Sequence, residues 1–182
     1  MILLLGASAS GKTEIAKYLA AHFGIKKAIT TTTRPMRVHE TDGVDYFFLT
    51  KEAFLNRLKD GQFVEHTLYN ENYYGTGKDQ VKNDRCIVLD PKGVFSFQVL
   101  NNPSVVSFYL EASEETRRKR METRGDKIED IEKRLSNDLN SFAPSSLPKT
   151  DFVLNTDEKS ISELANTIYS FYQNTLKKRG VE

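Results

Sequence analysis

Apolar and polar residues alternate along this chain in two rhythms. The run Ile2-Leu3-Leu4-Leu5 is apolar without interruption up to Gly6, the pattern of a short parallel strand buried on both faces. Beyond Lys12, Ile15, Leu19 and Phe23 recur four residues apart and mark one face of a helix. Residues 26–33 predict a second strand that runs into the polar Thr30-Thr31-Thr32-Thr33-Arg34. Pro35 and Asp42-Gly43 bracket a loop, and Asp45-Tyr46-Phe47-Phe48-Leu49 is strand-like. Thr50 is placed to cap a short helix with Phe54 and Leu58 on its apolar face. Phe63 to Tyr69 and Tyr73 to Thr76 flank the polar Asn70-Glu71-Asn72, which predicts a hairpin, and residues 77–83 a short helix.

The second half alternates more regularly. Cys86-Ile87-Val88-Leu89 is a buried strand ending on Asp90, and Val105 to Leu110 is another. Ser113 followed by Glu114 and Glu115 signals a capped helix with acids at its positive end, running to about Thr123. Gly125-Asp126 breaks it. Residues 127–139 form a charged helix with Ile128, Ile131 and Leu135 on one side. Pro144 and Pro148 delimit a loop, Asp151 to Leu154 a last strand, and Ile161, Leu164, Ala165, Ile168, Phe171 and Tyr172 stripe a final amphipathic helix. Strands that alternate with helices imply an α/β domain whose parallel sheet is flanked by helices on both faces. Residues 31–83 read as a small lobe of strands inserted into it.

Composition narrows the function classes. The 182 residues suffice for one domain with a sizeable core. A net charge of +1 gives no global field for nucleic acid or a membrane surface, so anions must be held by local clusters. The single cysteine, Cys86, excludes an internal disulfide and a cysteine zinc site, and its apolar neighbours predict burial. No apolar run approaches the ~20 residues of a spanning helix, and the first residues lack the features of a signal peptide. The chain reads as cytoplasmic.

Candidate chemistry concentrates first in Gly6-Ala7-Ser8-Ala9-Ser10-Gly11-Lys12-Thr13, which fits the phosphate-binding pattern G-x-x-x-x-G-K-[ST] between a strand and a helix. Gly6 and Gly11 permit backbone angles and close approaches that a side chain blocks. Successive N–H groups at a helix start then form a nest for phosphate oxygens. Lys12 can span the β- and γ-phosphates, and Thr13 can ligate Mg²⁺. Arg34 and Arg37 lie three apart in a loop where sheet-end ligands bind, and their forks match a second phosphate. Arg117-Arg118-Lys119-Arg120 is no nucleic-acid patch, because a helix spreads the four around its circumference. Arg120 and Arg124, four apart, share a face; the other basic residues are expected to be solvated or paired with Glu114 and Glu115. His22, His39 and His66 have no triad partners at recognisable spacing.

Across residues 1–157 the chain resembles the guanylate kinases. The likeness rests on Gly6 to Thr13, on Thr32-Thr33-Arg34-x-x-Arg37-x-x-Glu40-x-x-Gly43-x-Asp45-Tyr46-x-Phe48, and on Phe63-x-Glu65 with Tyr73-Tyr74-Gly75-Thr76. It continues through Asp90-x-x-Gly93, Arg120, Arg124-Gly125, Ile131-x-Lys133-Arg134-Leu135 and Asp151-Phe152-Val153-x-Asn155. The resemblance implies a P-loop kinase fold with a core (residues 1–30, 84–123 and 145–182), a GMP-binding lobe of mixed strands (about 31–83) and a helical lid (about 124–144). It implies Mg²⁺ with ATP as co-substrate, and GMP, with dGMP as a candidate, as acceptor. Arg34, Arg37, Tyr46 and Tyr74 would hold the GMP phosphate, with Glu40 and Gly75 in the same motifs. Thr30, Glu65, Thr76 and Asp90 would address guanine, and Arg120, Arg124 and Arg134 would close over the ATP phosphates. Lys12, Arg34 and the lid arginines would carry the catalysis. Partners would be nucleotides alone, with no nucleic acid or membrane, in a monomer or homodimer.

Three positions depart from the family pattern. Ala7 and Ala9 stand where the family usually has Pro and Gly, and alanine tolerates positive φ poorly, so the loop geometry is expected to differ there. Val88 stands where an acid is common, and the segment between Arg124 and Arg134 is one residue short. The alternatives are a non-catalytic guanylate-kinase-like interaction module, against which Lys12, Thr13 and the lid arginines speak, and a nucleoside monophosphate kinase for another base, against which Glu65 with Asp90 speaks.

Overall fold

The computed structural model describes residues 1–181. Its centre is a five-stranded parallel sheet in the order β2-β7-β1-β8-β9, built from Lys26–Lys27, Arg85–Leu89, Ile2–Leu5, Val106–Glu111 and Phe152–Asn155. β1 is the middle strand and is buried along its whole length. Its side chains alternate between two cores, as a pleated strand requires. Ile2 and Leu4 join Ile15, Leu19, Phe108, Leu164, Ile168 and Tyr172 under α1 (Lys12–Phe23) and α6 (Ile161–Lys178). Leu3 and Leu5 join Ile87, Val94 and Phe97 under α3 (Pro91–Val99). Burial on both faces is why this strand reads as an unbroken apolar run.

The ends of the helices obey local rules. The Thr50 hydroxyl accepts from Ala53 N–H at 3.2 Å to start α2 (Lys51–Lys59), and Ser113 accepts from Thr116 N–H at 3.2 Å to start α4 (Glu114–Thr123). α6 opens with a reciprocal capping box between Ser160 and Glu163. α1 is different: its N-cap is Gly11, which has no side chain to accept from the first turn. That leaves the start of α1 for an anion.

A second sheet, in the order β4-β3-β6-β5, is made by Phe47–Phe48, Thr31–Thr32, Asn72–Gly77 and Phe63–Tyr69. It is mixed: β4 runs parallel to β3, while β6 is antiparallel to both β3 and β5. Phe54 of α2 stacks on Phe63 and Tyr73 beneath it. The predicted hairpin is β5 and β6.

Four local expectations are corrected. The strand expected over 26–33 is two short strands in different sheets, because the chain leaves the central sheet after Lys27 and joins the second at Thr31. Ile29 N–H, between them, donates to Gln80 Oε1 at 3.1 Å instead of to a ladder. The helix expected over 77–83 is only a 3₁₀ turn at Lys78–Gln80, since Gly77 is still in β6. Ile128 does not share the apolar side of α5 (Ile128–Ser141): it begins that helix and is 74% exposed, while Ile131 and Leu135 are buried. Arg117, expected at the surface, is 7% exposed. The sequence pattern also leaves 91–104 unassigned, although Asp90-Pro91 is an N-cap followed by proline at the first helical position, the signal for α3.

Candidate functional site

The chain turns sharply between β1 and α1, and two glycines make that turn possible. A Cβ on Gly6 would lie 2.6 Å from the Leu110 carbonyl oxygen of β8, so only glycine lets the loop pass there. Gly11 has φ 97°. Ala9 also takes the left-handed conformation, with φ 61°. Alanine thus adopts here the geometry that was expected to change, and the loop keeps its nest-forming alternation. Lys12 folds back over the loop, donating from Nζ to the Gly6 and Ala7 carbonyls at 2.6 and 2.7 Å. Burial lowers its pKa from 10.5 to about 8; the Asp138 carboxylate raises it and the Arg117 guanidinium lowers it further.

A cavity of about 460 Å³ opens over this loop, lined by Ala9, Gly11, Lys12, Thr13, Arg120 and Arg124, with Lys159 to Ile161 at the start of α6. Arg120 is fixed at its edge by donating to the Ala9 carbonyl at 3.2 Å and to Thr156 Oγ1 at 3.1 Å. The expected sharing of one face by Arg120 and Arg124 is therefore real, and both reach one cavity. Arg134 does not line it. Arg124 and Arg134 both pair with Asp126, the latter at 3.7 Å, so one carboxylate holds the two arginines together. Lys159 to Ile161 lie some 145 residues beyond the P-loop, and no motif in the sequence points to them.

A second cavity, of about 390 Å³, lies between the two sheets, where β5, β6, β7 and α3 meet. Glu65, Thr76, Asp90 and Thr30, the four residues that the resemblance assigns to guanine, all line it. Thr76 donates to Glu65 Oε1 at 2.5 Å. Burial raises the Glu65 pKa, the Thr76 hydroxyl opposes that rise and the charge of Asp90 adds to it. Asp90 also caps α3, its Oδ1 accepting from Gly93 N–H at 2.7 Å. The turn-forming role and the cavity role thus coincide in one residue. Val88 contributes an apolar wall with Ile87 and Leu89, and His66, Thr67, Lys92 and Ser96 also line the cavity. Lys92 and Ser96 went unread because α3 itself did.

Arg34, two residues beyond β3, is fixed by several contacts. Its Nη2 donates to Glu40 Oε1 at 2.6 Å and its Nη1 to the Pro35 carbonyl at 2.7 Å, with the guanidinium carbon 5.6 Å from the Tyr46 ring centre. Tyr46 and Tyr74 meet edge to face, and the Tyr74 hydroxyl interacts with Arg34. Glu40 spends its second oxygen on Arg37 N–H at 2.8 Å, which makes it an organiser of the arginine loop. The Arg37 side chain is exposed. Gly75 is buried in β6, where a Cβ would crowd Glu65 O, Phe63 and Phe54 at 3.0–3.1 Å; it keeps the strand close to α2.

The residues also bear on a metal. Among the described residues no cluster of three or more histidine, cysteine or acidic side chains could hold one alone. The Thr13 side chain at the cavity wall is one hard oxygen donor. That donor set suits Mg²⁺, which keeps waters and takes phosphate oxygens alongside few protein ligands. Among the described residues no helix is long and apolar enough to cross a membrane.

Comparison with known proteins bears on the fold and the family. The fold is shared with the crystal structure of guanylate kinase from Anaplasma phagocytophilum, at a TM-score of 0.61 and 22% identity over 96% of this chain and 85% of that one. Guanylate kinase from Fusobacterium nucleatum is 32% identical over 184 residues, covering 97% of each chain. That from Wolbachia pipientis wMel is 32% identical over 190 residues, covering 98% of this chain and 94% of the relative. The Guanylate kinase family model matches residues 1–171, and with the P-loop and the Glu65–Asp90 cavity in one fold, the chain belongs to the guanylate kinase family.

Proposed function

We propose that this chain transfers the γ-phosphoryl group of ATP to GMP, giving ADP and GDP. The observation that carries this reading is the placing of Glu65 and Asp90 in one cavity, with the Arg34 cluster next to β3 of the same second sheet, in a molecule that also has a complete P-loop. Guanine presents N1–H and an exocyclic N2 amine, and two carboxylates are acceptors for both. Adenine has neither, and would leave the half-buried Glu65 carboxylate without its donor, a loss that discriminates against the analogue. Lys92, Thr30 and Ser96, which also line the cavity, would supply donors for the acceptor atoms O6 and N7 on the Hoogsteen edge.

The acceptor phosphate would lie on Arg34, Arg37, Tyr46 and Tyr74, with Glu40 holding the arginine loop in place. ATP would sit with its phosphates on the P-loop N–H groups and Lys12, beneath Arg120 and Arg124, and Arg134 would join them when α5 closes as a lid. Thr13 would help to hold Mg²⁺, which would supply positive charge against the phosphates of ATP. An oxygen of GMP phosphate attacks the γ-phosphorus, and the bond from that phosphorus to the bridging oxygen breaks, leaving its electron pair on ADP. Little proton chemistry is involved, because a phosphomonoester is largely ionised above its second pKa of about 6. The protein's share is alignment of two polyanions and neutralisation of moving charge.

Release of ADP from Mg·ATP, followed with GMP, AMP, UMP and dTMP in parallel, tests the reading. Turnover with GMP alone is expected. Equal turnover with AMP would overturn the base assignment, and silence with every acceptor in a folded protein would favour the interaction module.

The Lys12 pKa adds a pH signature. Lys12 loses charge as pH rises through about 8 in the free protein, whereas a bound phosphate favours the charged form. Mg·ATP affinity is therefore expected to fall above pH 8, and binding there to take up a proton. Calorimetry in two buffers of different ionisation enthalpy reads that proton directly; no difference between buffers at pH 9 would refute it.

A further inference from the structure

The loop that forms the phosphate nest is gripped from behind by two residues outside the P-loop motif. Asp138, on α5, is 8% exposed and accepts three hydrogen bonds: from Arg117 Nη1 of α4 at 2.7 Å, from Ser8 N–H at 3.0 Å and from Ser8 Oγ at 3.3 Å. Ser8 does not line the nucleotide cavity, whereas its neighbour Ala9 does. The grip therefore leaves the nest itself clear.

Its placement coincides with a strained residue. Ala9 holds φ 61°, a conformation that glycine adopts freely and alanine does not. Three contacts from α4 and α5 surround it. Arg120 Nη1 donates to the Ala9 carbonyl at 3.2 Å, and the Ala9 methyl packs on Met121, Ile131 and Leu135. Asp138 fixes the N–H of the preceding residue. A buried ion pair is a poor source of stability compared with apolar packing. Arg117 Nε, moreover, is buried and has no hydrogen-bond partner among the described residues. The pair is thus a costly way to fill the junction, but it supplies what apolar side chains do not: a fixed acceptor for a loop N–H.

We propose that the buried Arg117–Asp138 pair is a positioning device for the P-loop, holding Ser8 and Ala9 so that alanine keeps the left-handed backbone the phosphate nest needs. Tertiary contacts from α4 and α5 do here what glycine does by its own freedom. Because those contacts come from the arm that carries the lid arginines, the nest and the arm are mechanically linked. The inference rests on the P-loop being the ATP site, and deepens that assignment.

The test is Mg·ATP affinity by calorimetry, with kcat and KM measured at saturating GMP, in Asp138→Asn and in the double variant Arg117→Met/Asp138→Leu, each with and without Ala9→Gly. Asp138→Asn leaves Arg117 without a counter-charge; the double variant replaces both charges by apolar groups and keeps the fold testable by its melting temperature. The Kd for Mg·ATP is expected to rise about tenfold in both, with GMP affinity within about twofold. Adding Ala9→Gly is expected to recover most of that loss, because glycine needs no restraint there. Unchanged ATP affinity in the folded double variant would overturn the proposal, as would a loss that Ala9→Gly does not relieve, since a merely structural role is indifferent to the residue at position 9. The binding measurement needs no turnover: a wild type that binds ATP but phosphorylates nothing would defeat the proposed reaction and leave this test standing.

Discussion

Lys12→Ala is expected to lower kcat about 10³-fold, a transition-state loss of ~4 kcal/mol, while GMP affinity changes by less than about threefold. In the free protein Lys12 bridges the Gly6 and Ala7 carbonyls at 2.6 and 2.7 Å, at the wall of the P-loop cavity. A side chain already folded over the loop is preorganised for the anion, so its charge acts without a cost of reorganisation at the moment of transfer. Truncation leaves the second cavity untouched, since Glu65, Thr76 and Asp90 stand on other elements. Single-turnover kinetics with saturating ATP separates the chemical step from binding. Normal turnover at saturation, combined with loss of GMP binding, would contradict the assignment.

Glu65→Gln is expected to cost about 100-fold in kcat/KM for GMP and to narrow the preference for GMP over AMP by at least as much. The carboxylate is fixed by the Thr76 hydroxyl at 2.5 Å, so it cannot turn away from the base. A hydrogen bond to a charged, half-buried acceptor is stronger than a neutral one. Glutamine keeps the shape, but it removes the charge and puts two N–H donors where guanine also donates. The outcome is read from kcat/KM for the two monophosphates in parallel. A GMP-to-AMP ratio equal to that of the wild type would remove Glu65 from base recognition. Because burial raises the Glu65 pKa, the wild type should itself lose GMP affinity on acidification before an ordinary glutamate would protonate.

These two residues were legible before any coordinates, and others of equal consequence were not. Lys12 belongs to a motif of eight consecutive residues whose meaning is local: a strand end, a turn needing glycine and a helix start. Glu65 and Asp90 became readable through their motifs, although one acid on a strand and another at a strand end carry no chemistry by themselves. In the structure Asp90 both caps α3 and lines the cavity, since the turn that ends β7 opens onto it. Arg117 illustrates the opposite case. By composition and helical position it is one more basic residue among four, and only the fold shows it buried against Asp138.

Local patterns in the sequence by themselves determined that β1 is buried on both faces, that α6 is amphipathic, that a hairpin lies between Phe63 and Thr76, and that Gly6 to Thr13 form the turn between a strand and a helix. Each follows from near neighbours along the chain, through side-chain alternation, helical repeat or turn chemistry. Only the tertiary structure decided that the stretch from 26 to 33 splits between two sheets, that Arg124 and Arg134 share Asp126, and that Asp138 reaches Ser8 across 130 residues of sequence. Such contacts are selected by the packing of whole elements, which brings together residues that no spacing rule connects.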